Sequence, residues 1–385
     1  MIALRSAAVS VSISASAILV LLFGAAGVQG NSLVSGAMFA TPLAALLVTS
    51  PRMRLTLGDL VFAAFVGFVA ISVVVNGLGA SAKDYVLLAL SLTAYPAFRG
   101  LGRGFNRELF VFITGLVVLA GTIATAIFIM RGEMASGSHP AVFGFTEASV
   151  YFAKSFAFLL FALMSSGVSL FALLTVMVVP CIVLSAAMVR HPFVGIVAGF
   201  VVIGLTSARR VQVAVVCAAI VAAFAVGMLV RPATSERLVG YVVSAIAPSV
   251  SASNDPNAYV SAEHADCGPL NWSDSITIRR ALAREALAMI PSAGYFGIGL
   301  GGFAKASCMK QYPHNIFLQT AVELGLPAAL LLVALVVIAF IAALGDSFIV
   351  AGLVFTCIEA IFSGALTNAV LLFGLMGWAV GSKEV

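Results

Sequence analysis

Charge is what this chain has least of. Asp, Glu, Lys and Arg make up only 9% of its 385 residues, against 62% hydrophobic, whereas an ordinary soluble domain is about 25% charged. A soluble globular protein of this size is excluded. Histidine is also scarce, four in all, and Glu263-His264 has no second histidine at helical spacing, so no zinc-ligand pattern is present. A membrane serine protease needs Gly-x-Ser-Gly, which Gly204-Leu-Thr-Ser207 does not provide. There is no βαβ pattern around any glycine cluster, which removes a dinucleotide site, and there are no internal repeats or low-complexity tracts. The formal charge of +5 lies mostly in short connectors between apolar runs. It is a topology signal and does not imply nucleic acid as a partner.

What is present is apolar sequence in windows of about 20 residues, the length that crosses a bilayer. These fall near 9–28, 32–50, 57–76, 84–98, 109–130, 148–166, 168–189, 192–206, 211–230, 315–343, 348–364 and 367–381. The expected fold class is therefore all-α, a polytopic integral membrane protein of about twelve transmembrane helices. The first window, preceded by Arg5, reads as a retained helix because no small-x-small cleavage site follows it. Residues 1–230 hold nine expected spans, 231–313 form one long polar loop, and 314–385 hold three more.

Lysine and arginine in short loops set the orientation. With the N-terminus inside, Arg5, Arg52, Arg54, Arg99, Arg103, Arg107, Arg209, Arg210 and Lys383 are cytoplasmic, nine residues against Lys83, Arg131 and Arg190 outside. Both termini are then cytoplasmic and the long loop faces outward, in a bacterium the periplasm. Cys181, Cys217 and Cys357 fall inside spans and read as small core hydrophobes. Cys267 and Cys308 share the outer loop, where an oxidising compartment favours a disulfide between them.

Within the loop, residues 231–272 are rich in Ser, Ala, Pro, Asn and Asp and read as irregular. Ile278, Leu282, Ala286 and Met289 then recur at helical spacing, so Ile276 to Ile290 reads as an amphipathic helix capped by Ser273 or Asp274. Its other side is basic, with Arg279, Arg280 and Arg284. Pro291 and Gly294 end it. Gly297-Ile-Gly299-Leu-Gly301-Gly-Phe303 follows, a turn that lets backbone approach closely.

Pro313-His314-Asn315 leads into the last long apolar run. A helix starting at Pro313 puts Asn315, Gln319 and Glu323 at i, i+4 and i+8, one polar stripe. Pro327 after Gly325 suggests a kink. A stripe of this kind at membrane depth must face the bundle interior, either as interhelical hydrogen-bonding residues or as a site. Arg190, at the outer end of its span, lies on the same expected face as His314. Arginine suits phosphate oxygens, and histidine is the usual general base near neutrality. That combination fits a transferase acting on a lipid-linked diphosphate sugar.

The order Gly-x-Gly-x-Gly-x-Phe, His-Asn-x-x-Leu, Glu-x-Gly resembles the signature region of the bacterial O-antigen ligase and O-antigen polymerase (Wzy-type) family, with Arg279, Ala286, Leu287, Ile290, Gly297, Gly299, Gly301 and Phe303 in register. The aromatic expected after the arginine is replaced by Ala283, the proline before the glycines by Gly294, and the family's Ser-Arg-Gly is missing. The specific match covers about residues 279–325. The resemblance implies a GT-C-like, metal-independent membrane glycosyltransferase without a cofactor. It implies a donor of undecaprenyl-diphosphate-linked glycan and an acceptor glycan or lipid A core at the periplasmic face of the inner membrane. It carries catalytic roles to His314, Arg279 and Arg190, and substrate contacts to Arg280, Arg284, Asn315 and Glu323. Arg209 is the competing position for Arg190 but comes out cytoplasmic. The alternative class is a polysaccharide transporter or flippase, for which buried polar residues are equally ordinary.

Overall fold

A computed structural model describes residues 2–28, 32–48, 54–77, 82–101, 105–132, 140–187, 189–206, 209–230 and 275–382. The first part of the polar loop, with Cys267, Ser273 and Asp274, lies outside the described residues. Among the described residues regular structure is helical, apart from one isolated β-bridge between Val142 and Phe145. Eleven helices precede the loop: α1 (Ile2–Ile13), α2 (Ala15–Ala25), α3 (Ser32–Val48), α4 (Leu57–Asn76), α5 (Ala82–Leu92), α6 (Ala94–Leu101), α7 (Arg107–Met130), α8 (Ala148–Ser165), α9 (Leu170–Ala186), α10 (His191–Thr206) and α11 (Arg210–Val230). The loop contributes α12 (Ser275–Met289), a 3-10 turn (Ile290–Ser292) and the short α13 (Gly302–Ala306). The last part of the chain forms α14 (Ile316–Glu323), α15 (Leu326–Ala343), α16 (Ser347–Phe362), a 3-10 turn (Leu366–Asn368) and α17 (Val370–Ser382).

Each expected apolar window is occupied by one helix or by two consecutive ones. Five helices, α4, α7, α8, α11 and α15, are individually long and apolar enough to cross a membrane. The protein is a helical membrane protein whose apolar helices suit a lipid bilayer. Three windows that look continuous in sequence are broken in space. The first divides at Ser14 and the fourth at Thr93. The tenth stops at Glu323, resumes at Leu326, and turns through Gly325 at φ 94°. Apolar continuity carries no information about φ, so the kink expected near Pro327 is a full break, with Pro327 in the first turn of the new helix.

Helix α8 sits at the centre. Its apolar window is 78% buried, against 22% for α4. Around α8, Phe158, Phe161, Phe200 and Phe355 meet edge to face, a geometry that adds to simple area burial.

Polar contacts sort the two ends of the bundle. At one end Arg99 bridges Asp59 and the Arg54 carbonyl, Arg107 reaches Asp346 and the Ser165 carbonyl, and the Arg209 guanidinium lies over Gly167. At the other end the C-terminus of α4 meets the glycine turn, and α8, α10 and α16 bring Lys154, His191 and Glu359 together. Arg209 is thus on the end opposite the loop and Arg190 on the same end, as their loops imply.

Candidate functional site

Helix α12 forms as its spacing requires, with Leu282 and Ala286 fully buried and Ile278 and Met289 packed beside them. They share a small second core with Phe303, Met309 and Val322. Glu285 on α12 accepts from the Ser307 hydroxyl at 2.8 Å and from the Cys308 amide at 3.1 Å. The helix is therefore tied to the segment that leads to His314. Cys308 is disulfide-bonded, and Cys181, Cys217 and Cys357 are free thiols. The expected partner, Cys267, lies outside the described residues.

The glycine turn is a backbone clamp on the end of α14. The amides of Ile298 and Gly299 donate to the carbonyls of Val322 and Glu323 at 3.0 and 2.9 Å. Gly297 has φ 67°, and a Cβ there would fall on the Glu323 carbonyl; one on Gly325 would fall on the Tyr295 carbonyl. Only glycine satisfies both the left-handed backbone and the close approach. From the membrane side, Ser72 Oγ and Asn76 Nδ2 donate to the Phe296 carbonyl at 2.8 and 3.2 Å, and Tyr85 Oη accepts from the Leu300 amide at 3.3 Å.

This clamp explains the polar stripe. Asn315 is the N-cap of α14, its side chain accepting from the amides of Phe317 and Leu318, so the helix begins at Ile316 and not at Pro313. Gln319 donates to Glu323 Oε2 at 2.9 Å and accepts from the Leu366 amide at 2.8 Å. Glu323 Oε1 accepts from the Phe303 amide at 3.3 Å, and its side chain is 0% exposed. One carboxylate oxygen holds the end of the glycine turn and the other holds Gln319 on the same helix. Glu323, expected as a substrate contact, ties the loop to the bundle and is not among the residues that line the cleft described next.

Arg279, Arg280, His314 and Asn315 line one cleft of about 410 Å³, closed by Ala283, Pro313 and the Ile361–Phe362 end of α16. His314 is one of three non-glycine residues in the described chain with positive φ, at 54°. Such a conformation costs on the order of 1–3 kcal/mol and is retained where surroundings over-determine it. Its ring lies 4.5 Å from that of Tyr312, and its Nδ1 is buried with no hydrogen bond among the described residues. Burial, reinforced by the charge of Arg279, pushes the imidazole down to about 4, so it is neutral near pH 7. Burial also pushes the Tyr312 hydroxyl up. The cleft thus offers two fixed positive charges beside a neutral base.

No family model, curated protein or solved structure matches the chain. Function has to be read from the side chains themselves. Arg284, expected to join the substrate contacts, is exposed one turn along α12 and does not line the cleft. Arg190 is half-buried and also outside the lining. It immediately precedes α10, whose His191 approaches Glu359 on the helix that closes the cleft. Among the described residues, no three His, Cys, Asp or Glu side chains gather as metal ligands do.

One cluster escaped the sequence reading. Lys154 Nζ lies 3.0 Å from Glu359 Oε2, and His191 Nε2 lies 3.4 Å from Glu359 Oε1. The signal was available, since Lys154 and Glu359 each interrupt an apolar window and ionisable groups at membrane depth are rare without a use.

Proposed function

We propose that the protein is a GT-C-like membrane glycosyltransferase that moves a glycan from an undecaprenyl-diphosphate carrier to an acceptor hydroxyl, as an O-antigen ligase or surface-polysaccharide polymerase. The observation that carries this reading is the cleft in which Arg279, Arg280, His314 and Asn315 meet. The motif resemblance points the same way. In the reaction, the acceptor oxygen attacks the anomeric carbon and its proton passes to the neutral imidazole of His314. The bond from that carbon to the phosphate oxygen breaks, and its electron pair leaves on the lipid diphosphate. Arg279 and Arg280 face the charge that develops there, and guanidinium groups hold phosphate oxygens in a fixed, bidentate fashion. A single displacement of this kind inverts the anomeric centre. In this reading the loop is periplasmic, the membrane is the bacterial inner membrane, both termini are cytoplasmic, and Arg190 serves the diphosphate from the edge of the cleft.

The Lys154–Glu359 pair inside the bundle is the observation that favours a transporter or flippase instead. Reconstituted protein supplied with an undecaprenyl-diphosphate oligosaccharide and acceptor separates the two. The transferase releases undecaprenyl diphosphate and does so in EDTA, because arginines hold the charge. Movement of intact donor across the vesicle with no bond cleavage would establish the transporter reading.

A further inference from the structure

Buried ion pairs seldom stabilise a fold on balance, because desolvation offsets the attraction. Lys154–Glu359 is such a pair, drawn from the central helix α8 and from α16. The Lys154 and Glu359 side chains are 24% and 10% exposed; Glu359 Oε1 is itself buried, with no hydrogen bond among the described residues and with His191 Nε2 at 3.4 Å as a charge partner when protonated.

Glu359 borders a cavity of about 80 Å³, also lined by Tyr151, Lys154, Thr356, Asn368 and Ser12. A single water needs roughly 10–15 Å³ on this measure, so the space is on the scale of one sugar ring. Its far wall is apolar, with Ile13, Phe355 and Leu372, a surface suited to the C–H face of such a ring. The cavity adjoins the cleft. Ile316 lines the cavity and Asn315 the cleft, while Ala360 lines the cavity and Ile361 the cleft. Charge selects the occupant. A cation would meet Lys154 and an anion would meet Glu359, whereas hydroxyls can donate to the carboxylate and accept from the ammonium.

We propose that this cavity binds a neutral polyhydroxylated ring, a sugar of the acceptor, through the Lys154–Glu359 pair and the polar side chains around it. The acceptor role rests on the transferase reading; the sugar site does not.

The test is saturation-transfer NMR on the full chain in nanodiscs with methyl α-D-glucopyranoside, methyl α-D-mannopyranoside and methyl N-acetyl-β-D-glucosaminide at about 10 mM, the range expected for a single ring. Tetrahydropyran serves as the ring without hydroxyls. At least one glycoside should show transfer and tetrahydropyran none. The signal should fall at least about threefold in Tyr151→Phe, which removes one hydroxyl, and further in Glu359→Gln, while Arg279→Ala leaves it intact. Tyr151→Phe keeps the test decisive if Glu359→Gln does not fold. No transfer from any glycoside, or a signal abolished only by Arg279→Ala, would overturn the proposal, leaving a water-filled cavity or a sugar in the cleft. Glycoside binding without turnover of lipid-diphosphate donor would sink the transferase reading alone. Turnover with no glycoside binding would sink the cavity alone.

Discussion

Two buried ion pairs lie at opposite ends of this bundle, and they are built differently. At the end away from the loop, Arg99 donates to both oxygens of Asp59 at 3.1 Å and to the Arg54 carbonyl. Asp59 also accepts from Tyr95 and from the hydroxyl and amide of Thr56, the amide bond forming one half of a capping box on α4. Every oxygen is in use. At the loop end, Glu359 has Lys154 on one oxygen, only His191 Nε2 at 3.4 Å near the other, and a cavity alongside. Saturation marks a lock, and an incompletely bonded pair bordering a cavity marks a site. By the same standard Glu323, with both oxygens occupied, is a lock, and His314, with a buried nitrogen unpartnered, is a site.

The sharpest way to break this contrast is to remove one partner of the lock. Asp59→Ala removes the carboxylate that faces the Arg99 guanidinium, 1% exposed, and should cost about 3–5 kcal/mol of stability, read as unfolding in nanodiscs. Tyr151→Phe at the open pair should change stability little. Equal losses would mean that the two pairs have the same purpose.

A smaller effect is expected at the clamp. Gly325→Ala places a side chain at φ 94° against the Tyr295 carbonyl; the backbone conformation alone costs on the order of 1–3 kcal/mol. Because the clamp joins the glycine turn to α14, protease cleavage within residues 294–315 should accelerate along with the stability loss. Unchanged cleavage would show that the turn is held by α12 alone.

Much of this was legible in the sequence. The apolar windows located the helices, the spacing of Ile278, Leu282 and Ala286 located α12, and the motif around His314 brought together four residues that do line one cleft. The rest was hidden for physical reasons. Helix breaks at Ser14, Thr93 and Gly325 leave hydropathy unaltered. The stripe Asn315–Gln319–Glu323 has the right spacing for a site, but the glycine turn, distant from it in local pattern, folds down onto Glu323 and bonds it. Lys154, His191 and Glu359 are distant in sequence, and no local pattern signals that α8, α10 and α16 converge.

The subtlest prediction concerns titration. His314 is depressed to about 4 by burial first and Arg279 second, from an ordinary value near 6.5. For a base the sign is clear: its neutral form stabilises the fold fully above pH 6.5, and that contribution is lost as pH falls from 6.5 toward 4. Imidazole NMR should show His314 protonating well below the ordinary histidine value, and Arg279→Gln should move it upward. A shift downward or none at all would remove Arg279 from its surroundings.

The central claim is that His314 is the base of a transfer reaction in this cleft. Purified protein in nanodiscs, given undecaprenyl-diphosphate oligosaccharide and acceptor, tests it through His314→Ala. Loss of at least about 100-fold in rate, the usual scale of general-base catalysis, with donor binding and unfolding temperature preserved, is the predicted result. Undiminished turnover in that variant would contradict the account.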